Sequence, residues 1–247
     1  MITKLSFLPA SLLKTESAKG GKSFPLTLKV FGPDDDKRAI FDLRYRAFTE
    51  IGVIDEREDG LFSDAYDDLA TTWNIGAFEG ETCIGSLRLT FGNSGRTRPT
   101  MPCQEVFLPE IASLQGRGYC KLVEFTRMAV APGLTNTSFR ATLYGSLVRA
   151  GMMIAQAGAA DYALMSAHPD RTRFYKTMCG FEVIAHADDY PGINAPAVLL
   201  GRDFRVLEQR RTSRNPFFNF TAAEVASARA AMRSASISAP SAELALR

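Results

Sequence analysis

The sequence predicts a single α/β domain built on one central sheet, and three observations carry that expectation. Segments with the two-residue rhythm of strands alternate along the chain with segments of helical spacing. A hairpin is written into "TTWNIGAFEGETCIGSLRLTF" (71–91), where a Glu-Gly-Glu turn joins two strand-like runs. "KLVEFTRMAVAP" (121–132) is apolar on both faces, as in a strand covered from both sides. With 247 residues, of which 46% are apolar and 23% charged, the chain can fill one sizeable core.

"FPLTLKVF" (24–31) has strand character, and "GPDDDKRAIFDLRYRAFTEIG" (32–52) turns to helical spacing after Pro33 and three aspartates. "SDAYDDLAT" (63–71) reads as a short polar turn of helix, followed by the hairpin. Residues 92–118 are rich in Gly, Pro and Arg, with a short helix expected around "CQEVFLPEIASL" (103–114). A strand at 120–131 precedes a long helix in "TSFRATLYGSLVRAGMMIAQAGA" (137–159), where Phe139, Leu143, Leu147 and Ile154 fall near one face, with Val148 and Gly151 adjoining. "DYALMSA" (161–167) is a strand, "HPDRTRFYKTMCG" (168–180) a helix ending at Gly180, and "FEVIAH" (181–186) and "APAVLLGRDF" (195–204) are strands. The expected organisation is a tail at 1–23, a domain at 24–211 and an extension at 212–247. That extension has an arginine-rich start and a helix in "TAAEVASARAAMRSA" (221–235), and both ends are expected to be peripheral or disordered.

A net charge of +2, with no dense Lys/Arg block, argues against a nucleic-acid partner. Cys83, Cys103, Cys120 and Cys179 show no CxxC spacing, and His168 and His186 form no ligand pattern, so no metal site and no disulfide framework are expected. Reduced thiols fit a cytoplasmic protein. In the opening "MITKLSFLPASLLKTESAKG", Pro9 and Ser11 interrupt the apolar run and no A-x-A site follows, which argues against a signal peptide. No stretch approaches the ~20 apolar residues of a membrane span.

Within the 121–132 strand, Glu124, Thr126 and Arg127 are costly to bury unless they are partnered or line a cavity. The element order around them resembles the GNAT acyltransferases, and "FYKTMCGFEV" (174–183) resembles the F-Y-x-x-x-G-F segment of many such enzymes. "RYRAF" (44–48), "DAYD" (64–67), "GSLRLT" (85–90) and "VEFTRMAV" (123–130) resemble, in order, the R-x-x-x-F, D-x-x-D, G-x-x-R-L and E-x-[ST]-R blocks of acyl-homoserine-lactone synthases. "HPDRTRFYKTMCGFE" followed by "YPGINAPAVLL" looks still more like the long-chain N-acyl amino acid synthases of the FeeM type, and the matches together span roughly 26–205. The resemblance implies a GNAT-like fold, with a central mixed, mostly antiparallel sheet flanked by helices and a bulge on the 121–130 strand. Lactone synthases usually carry tryptophans shortly after R-x-x-x-F and just before E-x-[ST]-R. Here Trp73 is the only tryptophan, and Ile51 or its neighbours and Val123 stand at those places.

Amide formation from a thioester needs an unprotonated amine, and an amino-acid amine is largely ammonium at neutral pH. Glu124, directly or through water, is the candidate proton acceptor; the competing role is a structural ion pair with Arg127, Arg88 or Arg44. Thr126 either orients that base or the amine, or is simply a good strand residue. Arg44, Arg88 and Arg127 are candidates for a carboxylate site, because guanidinium forks match carboxylates. Asp64 and Asp67 are read as a scaffold that pairs with them, as the resemblance to lactone synthases implies. Tyr175 falls where many GNAT enzymes assist the departing thiolate, with packing as the alternative, and His168 reads as a solvated cap residue.

Acetyl-CoA users usually place a glycine-rich turn before the long helix, whose bare N–H groups cradle the diphosphate. Asn136, Thr137 and Ser138 occupy that turn here; they can cap the helix and bind a single phosphate but restrict a diphosphate's approach. That favours the phosphopantetheine arm of acyl carrier protein, with Arg140, Arg149, Arg171, Arg173 and Lys176 as a basic landing surface for an acidic partner. Phe125, Met128, Leu147, Met152 and Met153 are candidates for an acyl tunnel, where ~0.8 kcal/mol per buried methylene makes length selection feasible. The expected activity is transfer of a long-chain acyl group from acyl carrier protein to an amino acid. No cofactor is needed beyond the 4'-phosphopantetheine that the donor carries. The expected state is a monomer or weak dimer, with room for peripheral membrane contact. The alternatives are an acyl-homoserine-lactone synthase, a lyso-ornithine-lipid-type N-acyltransferase, and a non-catalytic module that binds acyl carrier protein.

Overall fold

The computed structural model describes residues 3–5, 26–93, 99–205 and 220–237. The tail residues outside 3–5 and the arginine-rich stretch at 206–219 lie outside the described residues. In chain order the elements are β1 (Thr3–Leu5), β2 (Leu26–Phe31), α1 (Arg38–Glu50), β3 (Thr72–Glu79), β4 (Thr82–Asn93), α2 (Leu108–Gly116), β5 (Lys121–Val130), α3 (Thr137–Ala157), β6 (Tyr162–Ala167), α4 (Thr172–Cys179), β7 (Glu182–Ala187), β8 (Ala197–Asp203) and α5 (Ala222–Ile237). Short 3-10 turns occupy Ala65–Asp68, Pro102–Glu105 and Pro169–Arg171. Each strand and helix expected between 24 and 204 is present.

The strands form one eight-stranded sheet in the order β1-β2-β3-β4-β5-β6-β8-β7. Only β5 and β6 run parallel; the other pairs are antiparallel. A parallel pair needs a crossover, and α3 supplies it. α1 and α2 cover one face, burying Ile40, Leu43, Ile111 and Leu114, while α3, α4 and α5 cover the other. α3 lies close to β5 because residue 151 is glycine: a Cβ there would stand 2.5 Å from the Phe125 ring. α4 ends at Gly180 in the left-handed conformation, φ 67°, which a glycine takes without steric cost.

The ends of the chain contribute more than expected. β1 pairs with β2, and α5 packs on α3, β1 and β2 with Ala228 and Ala231 wholly inaccessible. α5 is therefore a core element, not a peripheral one. Its cover explains why α3 is buried all round from Ser146 to Ala155. Arg149 lies inside this seam, where it donates to Glu224 Oε1 at 2.5 Å and stacks on Phe220, so it is not part of a landing surface.

Candidate active site

The site originates in β5. At the β4 boundary, Ser86 pairs with Ala129 and Arg88 with Thr126, so Leu87 stands opposite both Arg127 and Met128. This is a β-bulge, and Arg127 sits in it with φ 53°. Simple alternation would send Arg127 to the α3 face beside Phe125; the bulge turns it instead to the face of Glu124 and Thr126. The β5–β6 ladder runs from Leu122↔Tyr162 to Phe125↔Met165 and ends there. Beyond it the strands part. The wedge is a cleft of about 410 Å³, lined by Thr126–Val130 of β5, Ser166, Ala167 and His168 of β6 and its end, and residues of α1, α3, α4 and the 190–197 segment. That size is ordinary for a small-molecule site.

Two polar assemblies stand beside this cleft. In the first, Arg44 Nη1 donates to Asp67 Oδ1 at 2.9 Å, and Arg88 Nη1 donates to Asp64 Oδ1 at 2.6 Å and to Asp67 Oδ2 at 3.1 Å. Arg127 donates to Asp64 Oδ2 from Nε at 3.1 Å and from Nη2 at 2.7 Å. The short "DAYD" turn makes this possible: the Asp64 side chain caps it through Tyr66 N, and Asp67 Oδ2 accepts from Asp64 N. Burial alone would raise the Asp64 carboxyl, but the guanidinium of Arg88 and then that of Arg127 hold it well below the ordinary carboxylate range. Asp67 is lowered in the same way, by Arg44 and then Arg88 acting against its burial. Arg44 and Arg88 are wholly inaccessible and do not line the cleft, so the carboxylate site expected of them is absent: they hold the aspartates. Arg127 does line it.

The second assembly centres on Glu124, which is also wholly inaccessible. Its Oε2 accepts from Cys103 N at 2.9 Å, and its Oε1 accepts from Ser166 Oγ at 2.6 Å and from Tyr190 OH at 2.5 Å. Among the described residues Glu124 has no ion-pair partner, which removes the structural pairing with Arg44, Arg88 or Arg127. Glu124 does not touch the cleft itself; Ser166 and Tyr190 do. The Tyr190 phenol is pushed far above its ordinary value by burial and then by Glu124, so it stays protonated. Thr126 Oγ1 accepts from Arg88 Nε at 3.1 Å and lines the cleft, which leaves its own proton to offer there.

Tyr190 and Ser166 escaped sequence reading. The signal was present in "YPGI", a turn in which Ile193 N donates to Tyr190 O at 2.9 Å, with Gly192 at φ 70°. The same turn offers Pro191 O to Arg127 Nη2 at 2.8 Å, so one loop secures both assemblies.

At the other side of the cleft, Tyr175 is a lining residue whose hydroxyl has no hydrogen-bond partner among the described residues. Burial, then Tyr144 and Cys179, keep its phenol protonated. His168 Nδ1 accepts from Asp170 N at 3.3 Å, a capping role. Asn136 caps α3 by accepting from Phe139 N at 3.0 Å, with Thr137 and Ser138 exposed beside it. Arg140 and Arg171 line the cleft from α3 and from the turn before α4, while Arg173 and Lys176 are exposed nearby on α4. Of the residues expected to line an acyl tunnel, only Met128 reaches the cleft. Phe125, Leu147, Met152 and Met153 are core side chains, at most 1% exposed, pointing away from the wedge. The apolar walls come instead from Ala47, Phe48, Ile51 and Val53 at the end of α1 and beyond, and from Ile193.

The mixed sheet, split beside a bulged strand, has the GNAT-like fold. The chain belongs to the FeeM family of N-acyl amino acid synthases, whose profile matches residues 39–203. The structure of FeeM, an N-acyl amino acid synthase from uncultured soil microbes, superposes with a TM-score of 0.61 at 21% identity, covering 79% of this chain and 98% of that one. The acyl-homoserine-lactone synthase LasI superposes at 0.52 with 18% identity, over 73% and 91% of the two chains. A mosquito arylalkylamine N-acetyltransferase-like protein gives 0.51 with 14% identity, over 72% and 100%. At these identities the structural matches establish the fold. No curated protein matches the sequence.

Proposed function

We propose that the protein transfers a long-chain acyl group from acyl carrier protein to the amine of an amino acid. The observation that carries this reading is the wedge itself, with Thr126, Ser166 and Tyr190 on one wall and the unpaired carboxylate of Glu124 behind them. The thioester carbonyl lies along the stretch of β5 that no longer pairs with β6, where backbone N–H groups receive the oxyanion as the amine attacks. Glu124 takes the proton the amine loses, Thr126 donates to the substrate, and Tyr175 meets the departing thiol at the opposite wall. Arg127, at the cleft and anchored on Asp64, faces the amino acid's carboxylate.

The carrier-protein donor is favoured by the cleft mouth. Arg140 and Arg171 stand there with Arg173 and Lys176 nearby, and the turn before α3 presents Asn136, Thr137 and Ser138 where a diphosphate would need bare backbone. The test is mass spectrometry of the products formed from palmitoyl acyl carrier protein or palmitoyl-CoA, the twenty amino acids and S-adenosylmethionine. An N-acyl amino acid formed from the carrier-protein donor is expected. A lactone would reassign the reaction, and donor binding without any product would leave a non-catalytic binding module.

A further inference from the structure

We propose that the hydroxyls of Ser166 and Tyr190 form a proton relay between the substrate amine and Glu124. The proposal rests on the N-acyltransferase reading. Glu124 is sealed from the cleft, and its carboxylate oxygens are already occupied by Cys103 N, Ser166 Oγ and Tyr190 OH. Of these three donors, the two hydroxyls belong to residues that line the cleft. A proton arriving from the substrate therefore reaches Glu124 only through one of them.

The direction of the hydrogen bonds fits an amine. A hydroxyl has one proton to give, and each of these gives it to Oε1 of Glu124. Towards the cleft each can only accept, so the pair presents acceptor lone pairs and selects a ligand group rich in N–H. An ammonium or an attacking amine is such a group; a carboxylate or carbonyl is not. Ser166 is also the first residue of β6 beyond the last pair with β5, where the wedge opens.

The step balances. As the amine nitrogen bonds to the thioester carbon, its surplus proton passes to a hydroxyl oxygen, and that hydroxyl passes its own proton to Glu124 Oε1. The hydroxyl ends as it began, and Glu124 is neutral. When the tetrahedral intermediate collapses, the C–S bond breaks, and the proton held by Glu124 returns by the same hydroxyl to the cleft, where the thiolate takes it. Amine and thioester have become amide and thiol, with no proton gained or lost.

The test measures turnover of the wild-type protein with palmitoyl acyl carrier protein and a mixture of the twenty amino acids, against Ser166→Ala, Tyr190→Phe, the double variant, and Ser166→Thr, which keeps a hydroxyl on the strand. We expect the double variant to lose at least ~100-fold in kcat, with KM for the acyl donor unchanged. Its residual rate should rise with pH more steeply than that of the wild type, as hydroxide takes the surplus proton that the relay no longer carries, and Ser166→Thr should be rescued relative to Ser166→Ala. Thermal melts separate loss of the relay from loss of the fold. A double variant that keeps its fold, its kcat and its pH profile would overturn the relay while leaving acyl transfer intact. A wild-type protein that forms no amide from any amino acid would overturn both.

Discussion

The two polar assemblies beside the cleft treat their carboxylates in opposite ways, although Asp67 is as inaccessible as Glu124 and only Asp64, 23% exposed, meets solvent. Asp64 and Asp67 are surrounded by guanidinium groups, and their charges are answered by Arg44, Arg88 and Arg127. Glu124 is answered by a backbone N–H and two hydroxyls, all formally neutral. A carboxylate saturated by cations resists protonation and holds a shape. One held by neutral donors can accept a proton without stranding a buried cation. The difference separates a group that fixes the bulge from a group that can enter the chemistry.

This contrast can be broken from the structural side first. Asp67→Ala leaves the buried Arg44 guanidinium with only the neutral Asn74 Oδ1 and leaves Arg88 with Asp64 as its one carboxylate, and breaking a buried pair in this way costs about 3–5 kcal/mol. Urea unfolding should show that loss. A cost near that of an ordinary surface substitution would mean that the network does not hold the site.

Acid should weaken the same assembly. The folded pKa values of Asp64 and Asp67 are depressed, so their contribution is fully present above the unfolded value of ~4 and is lost as pH falls towards the folded values. Urea midpoints measured from about pH 5 down to 2 should fall more steeply for the wild type than for Asp64→Asn. Parallel curves would contradict the assignment.

A smaller effect belongs to the cleft mouth. Arg140→Glu combined with Arg171→Glu should lower kcat/KM for a carrier-protein donor by about 10-fold, with the loss shrinking at high salt. A short pantetheine thioester, which needs no protein docking, should be affected far less. Equal losses on both donors would place these arginines in some role other than docking.

Much of this was legible in the sequence, and the failures have physical causes. The Glu-Phe-Thr-Arg run marked the site because buried charge is costly, and the period of each segment gave the strands and helices between 24 and 204. What strand alternation cannot reveal is a bulge: the positive φ at Arg127 reassigns that side chain to the other face. Phe125, Leu147, Met152 and Met153 were plausible tunnel residues by neighbourhood alone, yet their side chains point into the helix-covered core. Ser166 is the one serine in a strand that is otherwise apolar apart from Tyr162 at its start, and Tyr190 precedes a Pro-Gly turn; neither signal means anything until the fold brings both to Glu124. The alanine-rich α5 lacks the contrast that marks a buried helical face. Its burial, and with it the loss of Arg149 from the surface, follows only from packing on α3.

The most direct test of the central claim is Glu124→Gln, which keeps the size of the side chain and an acceptor oxygen but removes the proton-accepting carboxylate. Turnover of the acyl donor should fall at least ~100-fold, with donor binding retained and the melting temperature close to that of the wild type. A variant that turns over at the wild-type rate would show that Glu124 takes no proton and that this assembly, like its neighbour, serves only to hold the fold.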